Sequence, residues 1–163
     1  MVPASAFADL VAAMDGAMLV VTAAVGEERD GCLVGFHSQS SIHPARYVVW
    51  LSTANRTWRL AQRAEHLGVH LLDRAQHDVA ARFGGVTGDE RDKLGDVPWT
   101  PGPGGVPLLD ECSSRFVGRV LDRHYVGGDH VGVTLEPTDA SFAPPLHPLR
   151  LGRVKDIEPG HPA

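Results

Sequence analysis

No stretch of the 163 residues is apolar for long. The longest, Ala17 to Val25, falls far short of the roughly 20 residues that a membrane-spanning helix needs. Cysteine is scarce: two residues, Cys32 and Cys112, cannot make a disulfide framework or the paired ligands of a structural zinc site. Basic residues are outnumbered, 15 Lys+Arg against 20 Asp+Glu for a formal net charge of -5, and no run concentrates them, which disfavours a nucleic-acid binder. Asp9 and Asp15 fall where an export signal needs a basic and then an uninterrupted apolar region, so a soluble cytoplasmic protein with reduced thiols is expected. GxGxxG, GxxxxGK[ST] and GxSxG are all missing, which leaves a Rossmann site, a P-loop and a serine-hydrolase elbow without support. Of the nine His, Glu65-His66 and His70 imitate ligand spacing, but Gly68 is expected to end any helix between them, and no metal site is expected.

What is plentiful is turn chemistry: 18 Gly and 12 Pro. Many short elements should follow, in one domain, with the 43% hydrophobic residues sufficient for a core. Phe7, Leu10, Val11 and Met14 sit at i, i+3, i+4 and i+7, a helix with Ser5 as N-cap and Gly16 as its stop. Ala17 to Val25 reads as a strand, Gly26 to Gly31 as a charged turn and Cys32 to Ser38 as a second strand. Tyr47 to Leu51 is a third strand, Asn55 to Glu65 a helix, Val69 to Leu72 a strand and Gln76 to Phe83 a helix stopped by Gly84-Gly85. Gly95 to Pro107, around Trp99, is too rich in Gly and Pro for a regular element and reads as a surface excursion or lid. Phe116 to Val126 and Asp129 to Glu136 form a hairpin about Gly127-Gly128. A Pro-rich linker, a last strand from Leu149 to Ile157 and a frayed tail over 158–163 complete the chain. Some seven strands with three helices argue for a mainly β fold, an antiparallel Greek-key split β-barrel.

Two segments flank the third strand and suggest chemistry. In Gly31 to Pro44, GCLVGFHSQSSIHP, Ser38, Ser40 and Ser41 supply hydroxyls, and the backbone at Gly35 is open to a ligand. In Ser52 to Thr57, STANRT, a strand gives way to a helix capped by Asn55. The backbone N–H groups there, the Arg56 guanidinium and the Thr57 hydroxyl suit a phosphate. Each segment has a plain alternative, a polar turn and an ordinary helix cap.

In order along the chain, GCLVGFHSQSSIHP, STANRTW, AQHDVAARFGG and GGDHVGV resemble the flavin reductase-like family of FMN-binding split barrels, a likeness running from about Phe7 to Ile157. The resemblance implies that Val34, Gly35, Phe36, His37, Ser38, Ser40 and Ser41 edge the flavin ring and ribityl chain. It implies that Asn55, Arg56 and Thr57 hold the phosphate, that Phe83 packs against the cofactor, and that His130 of Gly128-Asp129-His130 orients the nicotinamide. The chain departs from the family pattern at Gly35-Phe36, where many members have Asn-Ser, and at His43 and Ala45, which replace the usual Asp and second Pro.

The activity so implied is that of an NAD(P)H:flavin reductase with FMN, or FAD in its place, passing hydride from nicotinamide to flavin N5. A homodimer with cofactors near the subunit boundary and a monooxygenase partner are also implied. Two rivals stand beside it: a flavin-binding or delivery module without its own reductase activity, and a deazaflavin-dependent oxidoreductase.

Overall fold

Gly26, at φ 60, lets the chain reverse within two residues, so the first hairpin is tighter than its charges suggest. Strand β1 (Leu19–Val25) runs straight into β2 (Glu28–Val34), with Val25 opposite Glu28. The expected turn over 26–31 is therefore mostly strand, and Asp30 within it is buried because Thr57 donates its hydroxyl to Asp30 Oδ2 at 2.8 Å. The computed structural model describes residues 3–89 and 91–160; of the expected frayed tail, 161–163 lie outside the described residues.

β3 (His37–Ser41), β4 (Arg46–Ser52), β5 (His66–Leu71), β8 (Arg115–Tyr125) and β9 (His130–Ser141) complete one antiparallel sheet in the order β2-β1-β5-β8-β9-β4-β3. Its two edge strands, β2 and β3, are consecutive in the chain, with only Gly35 and Phe36 between them. The sheet must therefore curl until its edges approach, and Trp50 N–H, donating to Phe36 O at 2.9 Å, extends the β3–β4 ladder up to the crossing. This is the split barrel expected from the sequence.

β1 is buried on both faces, which explains an apolar run interrupted only by Thr22. Leu19, Val21 and Ala23 face the barrel interior with Val49, Leu51, Leu67, Val133 and Leu135, and helix α2 (Arg56–Ala61) adds Trp58 and Leu60 to that cluster. Val20 faces outward with Leu72, Leu109 and Leu149 and with Val79, Ala80 and Phe83 of α3 (His77–Gly84). Phe83 is 1% exposed, and burial of such a side chain stabilises by roughly 1.5–3 kcal/mol.

Four sequence expectations change. The first helix, α1 (Ala4–Met14), has its periodicity but no buried residue. It begins after Pro3, and it ends at Asp15, in the left-handed region at φ 49. α2 stops at Ala61, so His66 already belongs to β5. The 95–107 segment holds a hairpin, β6 (Trp99–Pro101) and β7 (Pro107–Leu109), joined through a 3₁₀ turn at Pro103–Gly105. Its Val106 and Leu109 are fully buried and Thr22 donates to Pro107 O at 2.7 Å, so it is pinned to the barrel and is no lid. In place of a last strand over 149–157 come single bridges, Ala17 with Arg150 and Asp73 with Pro148, then a 3₁₀ turn at Leu151–Arg153. Gly152 N–H bonds the Asp15 side chain at 2.7 Å instead of a neighbouring strand.

The segment after α3 is tied down by Lys93, whose buried ammonium donates to Gly31 O at 2.9 Å and Phe83 O at 3.3 Å. Lys93→Met keeps the apolar stem and leaves two buried carbonyls unpaired. It should destabilise by about 2 kcal/mol in urea unfolding. A loss below about 0.5 kcal/mol, the size of an ordinary surface change, would show the ammonium to be dispensable.

Candidate functional site

Where the chain crosses between sheet edges, a cleft of about 120 Å³ opens, lined by residues 32–36 and by Trp50, Ser52, Asn55 and His130. Three aromatic rings mark it. The Phe36 and His130 rings stand 4.8 Å apart and tilted. Trp50 lies opposite Gly132 in the β4–β9 register, and a Cβ at position 132 would come within 2.8 Å of the indole. The missing side chain at Gly132 is what lets the indole lie against β9.

His130 donates from Nδ1 to Asp129 Oδ1 at 2.7 Å, which holds the Asp129 carboxyl below the usual carboxylate range. In the tautomer with its single proton on Nδ1, Nε2 is left as an acceptor. Cys32, on the cleft wall, is no nucleophile, because burial pushes its thiol up to about 11.

The strand-to-helix junction is more self-contained than its sequence suggests. Asn55 caps α2 as expected, its side chain accepting from Thr57 N–H at 3.2 Å. Thr53 N–H bonds Asp129 O, Ala54 N–H bonds Ser52 Oγ and Asn55 N–H bonds Ser52 O, so these donors are already used. The Thr57 hydroxyl, fully buried, is given to Asp30. Arg56 turns to a neighbouring polar cleft of about 600 Å³, where it donates to Arg29 O at 3.1 Å beside Asp89 and Asp92. The Arg29 guanidinium stacks 4.7 Å above the Trp99 ring on the same wall.

The structure thus gathers Val34, Gly35, Phe36, Asn55 and His130 around one cleft, with Arg56 next to it. Others expected with them point elsewhere. His37 pairs with Val49, an interior residue, and its ring bonds Tyr47 Oη and Ala17 O, each at 2.6 Å. A carbonyl only accepts, so Nε2 carries the proton and Nδ1 accepts from Tyr47. Phe83 is enclosed in the outer core, its ring against Gly31. Ser38, Ser40 and Ser41 continue along β3, where Ser38 Oγ donates to Gln39 O at 2.8 Å. Trp50 is the cleft residue that no sequence expectation names, and Ser52 joins it from the start of the STANRT segment. Val49 and Leu51 face the interior, so Trp50 between them faces out, and the register with Gly132 brings its indole to the cleft.

An antiparallel barrel split at one chain crossing, with an aromatic cleft in the split, is the architecture of flavin-binding split-barrel proteins. Residues 11–155 match the flavin reductase like domain, and the chain belongs to that family. It is 30% identical over 138 residues to reductase subunit HsaB of a flavin-dependent monooxygenase from Mycobacterium tuberculosis, covering 80% of this chain and 72% of that one. It is 28% identical over 115 residues to the stachydrine N-demethylase reductase subunit of Rhizobium meliloti, covering 68% of this chain and 48% of that one. Among solved structures, an FMN-binding protein from Thermus thermophilus with bound 1-cyclohex-2-enone superposes with a TM-score of 0.71 at 25% identity, over 76% of this chain and 68% of that one. The NADH:FAD oxidoreductase of Streptomyces globisporus shares the fold, with a TM-score of 0.77 at 20% identity over 91% and 89% of the two chains.

Proposed function

We propose that this chain acts as one domain and is an FMN-binding oxidoreductase, a cytoplasmic homodimer that takes hydride from NAD(P)H and serves a monooxygenase partner. The observation that carries the reading is the cleft at Gly35–Phe36. It offers aromatic faces to a flat ring and has a guanidinium beside it, in a member of the flavin reductase-like family. The family relatives named as reductase subunits of monooxygenases support the partner.

The residues present suit a flavin. Phe36 and Trp50 would hold the ring and exclude water, the open backbone at Gly35 allows close approach, and Arg56 would neutralise the phosphate. When bound, the flavin supplies the hydride acceptance that no side chain of the cleft provides. The part left to the protein is to hold two rings face to face. His130, oriented by Asp129 through Nδ1, would in that tautomer offer Nε2 to the carboxamide N–H of a nicotinamide. At about 120 Å³ the cleft is below the roughly 300–1,000 Å³ of enclosing ligand sites, so it would not by itself enclose a flavin ring. Exposed Phe36, Tyr125 and Val126 are apolar surface for a second copy to cover.

The test is optical. The purified protein with FMN should absorb near about 450 nm and bleach within seconds when NADH or NADPH is added anaerobically. A bound flavin that stays oxidised with both would leave a binding module. Arg56→Ala should weaken FMN roughly tenfold and riboflavin hardly at all, because only FMN carries the charge that a guanidinium pairs with. Equal losses for the two ligands, measured by fluorescence titration, would remove Arg56 from the phosphate.

A further inference from the structure

The arginines of this chain are almost all committed. Six form ion pairs with carboxylates. Three more donate to main-chain carbonyls, and Arg29 stacks on Trp99. The remaining three, Arg74, Arg150 and Arg153, line a single cleft of about 360 Å³ together with His147 and one acidic residue, Asp15. Arg150 donates to Asp15 O at 3.2 Å, while the guanidinium groups of Arg74 and Arg153 have no partner among the described residues.

Two carboxylates are near, each already bonded to backbone N–H groups. Asp15 Oδ1 accepts from Gly152 N–H at 2.7 Å. Asp73 accepts from Ala75 N–H and His147 N–H, each at 3.0 Å, and these bonds hold its carboxyl below the usual range. The frame behind the arginines is fixed by the bridges at Ala17–Arg150 and Asp73–Pro148 and by Arg74 N–H on His147 O at 2.7 Å. Three guanidinium groups on fixed backbone face two carboxylates already bonded to main-chain N–H groups, which leaves an excess of positive charge for an anion.

We propose that this cleft binds a phosphate chain of pyrophosphate class, either inorganic or carried by a nucleotide. Planar guanidinium forks match phosphate oxygens in pairs, and the volume lies at the small end of the roughly 300–1,000 Å³ typical of ligand sites. None of its residues lines the flavin cleft.

Calorimetric titration of the full chain with inorganic pyrophosphate, in EDTA at low salt, tests the site. Saturable binding should weaken at least about tenfold in the double variant Arg74→Gln, Arg153→Gln, and should be unchanged in Arg46→Gln, whose arginine sits on β4 beside Glu136. Added salt, from about 20 to about 200 mM, should weaken it further. Displacement of pyrophosphate by ADP assigns a nucleotide as the source; failure of ADP to displace bound pyrophosphate assigns the inorganic anion. No saturable binding up to about 5 mM, or a double variant that binds as tightly as the parent, overturns the proposal.

Discussion

Gly132→Val is expected to weaken flavin binding by roughly tenfold to a hundredfold, about 1.4–2.8 kcal/mol, with the barrel intact. The Cβ at 132 would lie 2.8, 2.9 and 3.1 Å from three atoms of the Trp50 ring, inside van der Waals contact. Those atoms belong to the far end of a half-buried side chain, so the indole can swing outward and the strands need not part. Val131 and Val133, which face the interior on either side, keep their packing. An indole displaced from the cleft removes both a ring contact, about 0.5–1.5 kcal/mol, and the apolar area behind it. Quenching of flavin fluorescence gives the affinity, and the circular dichroism melt reports the fold. Trp50→Leu should reproduce the loss. Unchanged affinity in both variants would take Trp50 out of the flavin surface.

Why Trp50 was missed while its neighbours were found is a matter of range. The periodicities that placed β1, the β8–β9 hairpin and the Asn55 cap are local: an apolar run, a Gly127 with φ 86, an Asx side chain two residues before the N–H it receives. The Trp50–Gly132 contact joins positions far apart in the chain and exists only through the register of two strands. The same limit separated Phe36 from His37. Both fall in one polar-looking segment, but the crossing at Gly35–Phe36 and strand alternation send Phe36 to the cleft and His37 to Tyr47 and Ala17.

Breaker-rich composition misled in the 95–107 segment for a related reason. Gly and Pro argue against a regular element when backbone bonding is the criterion, whereas this hairpin is held by what it buries. Val106 and Leu109 are fully buried, and the latter's N–H is taken by a histidine from β5. The Leu149 to Ile157 stretch failed in the opposite sense. Its apolar residues are real core, Leu149 at 1% exposure, but the backbone is held at separate points, Leu149 N–H by Leu72 O and Gly152 N–H by the Asp15 side chain, and no ladder forms.

That histidine, His70, should make the protein acid-labile well above the carboxylate range. Its ring is fully buried. Nδ1 lies 3.0 Å from Val20 O and must donate, while Nε2 accepts from Leu109 N–H at 3.0 Å. Protonation would force Nε2 to donate toward an N–H. Burial lowers its pKa from 6.5 to about 4, and the Arg115 charge pushes the same way. Between those values the unfolded chain binds a proton at His70 that the folded chain refuses, so stability falls as the pH drops through about 6.5 and levels off below about 4. The whole interval is worth about 3 kcal/mol, of which about 2 kcal/mol is gone by pH 5. Asp73, Asp89, Asp129 and Asp156, held below 3.8, lose their contributions only at lower pH, so the windows separate. His70→Gln keeps a donor and an acceptor but does not titrate. Urea midpoints at pH 7.5 and 5 should fall further in the parent than in the variant, by about 2 kcal/mol. Parallel curves would place the acid sensitivity elsewhere. Since the lost bond is the one that seats Leu109, the hairpin bearing Trp99 is the first part of the barrel that acid should loosen, and with it the wall of the cleft where Arg56 lies.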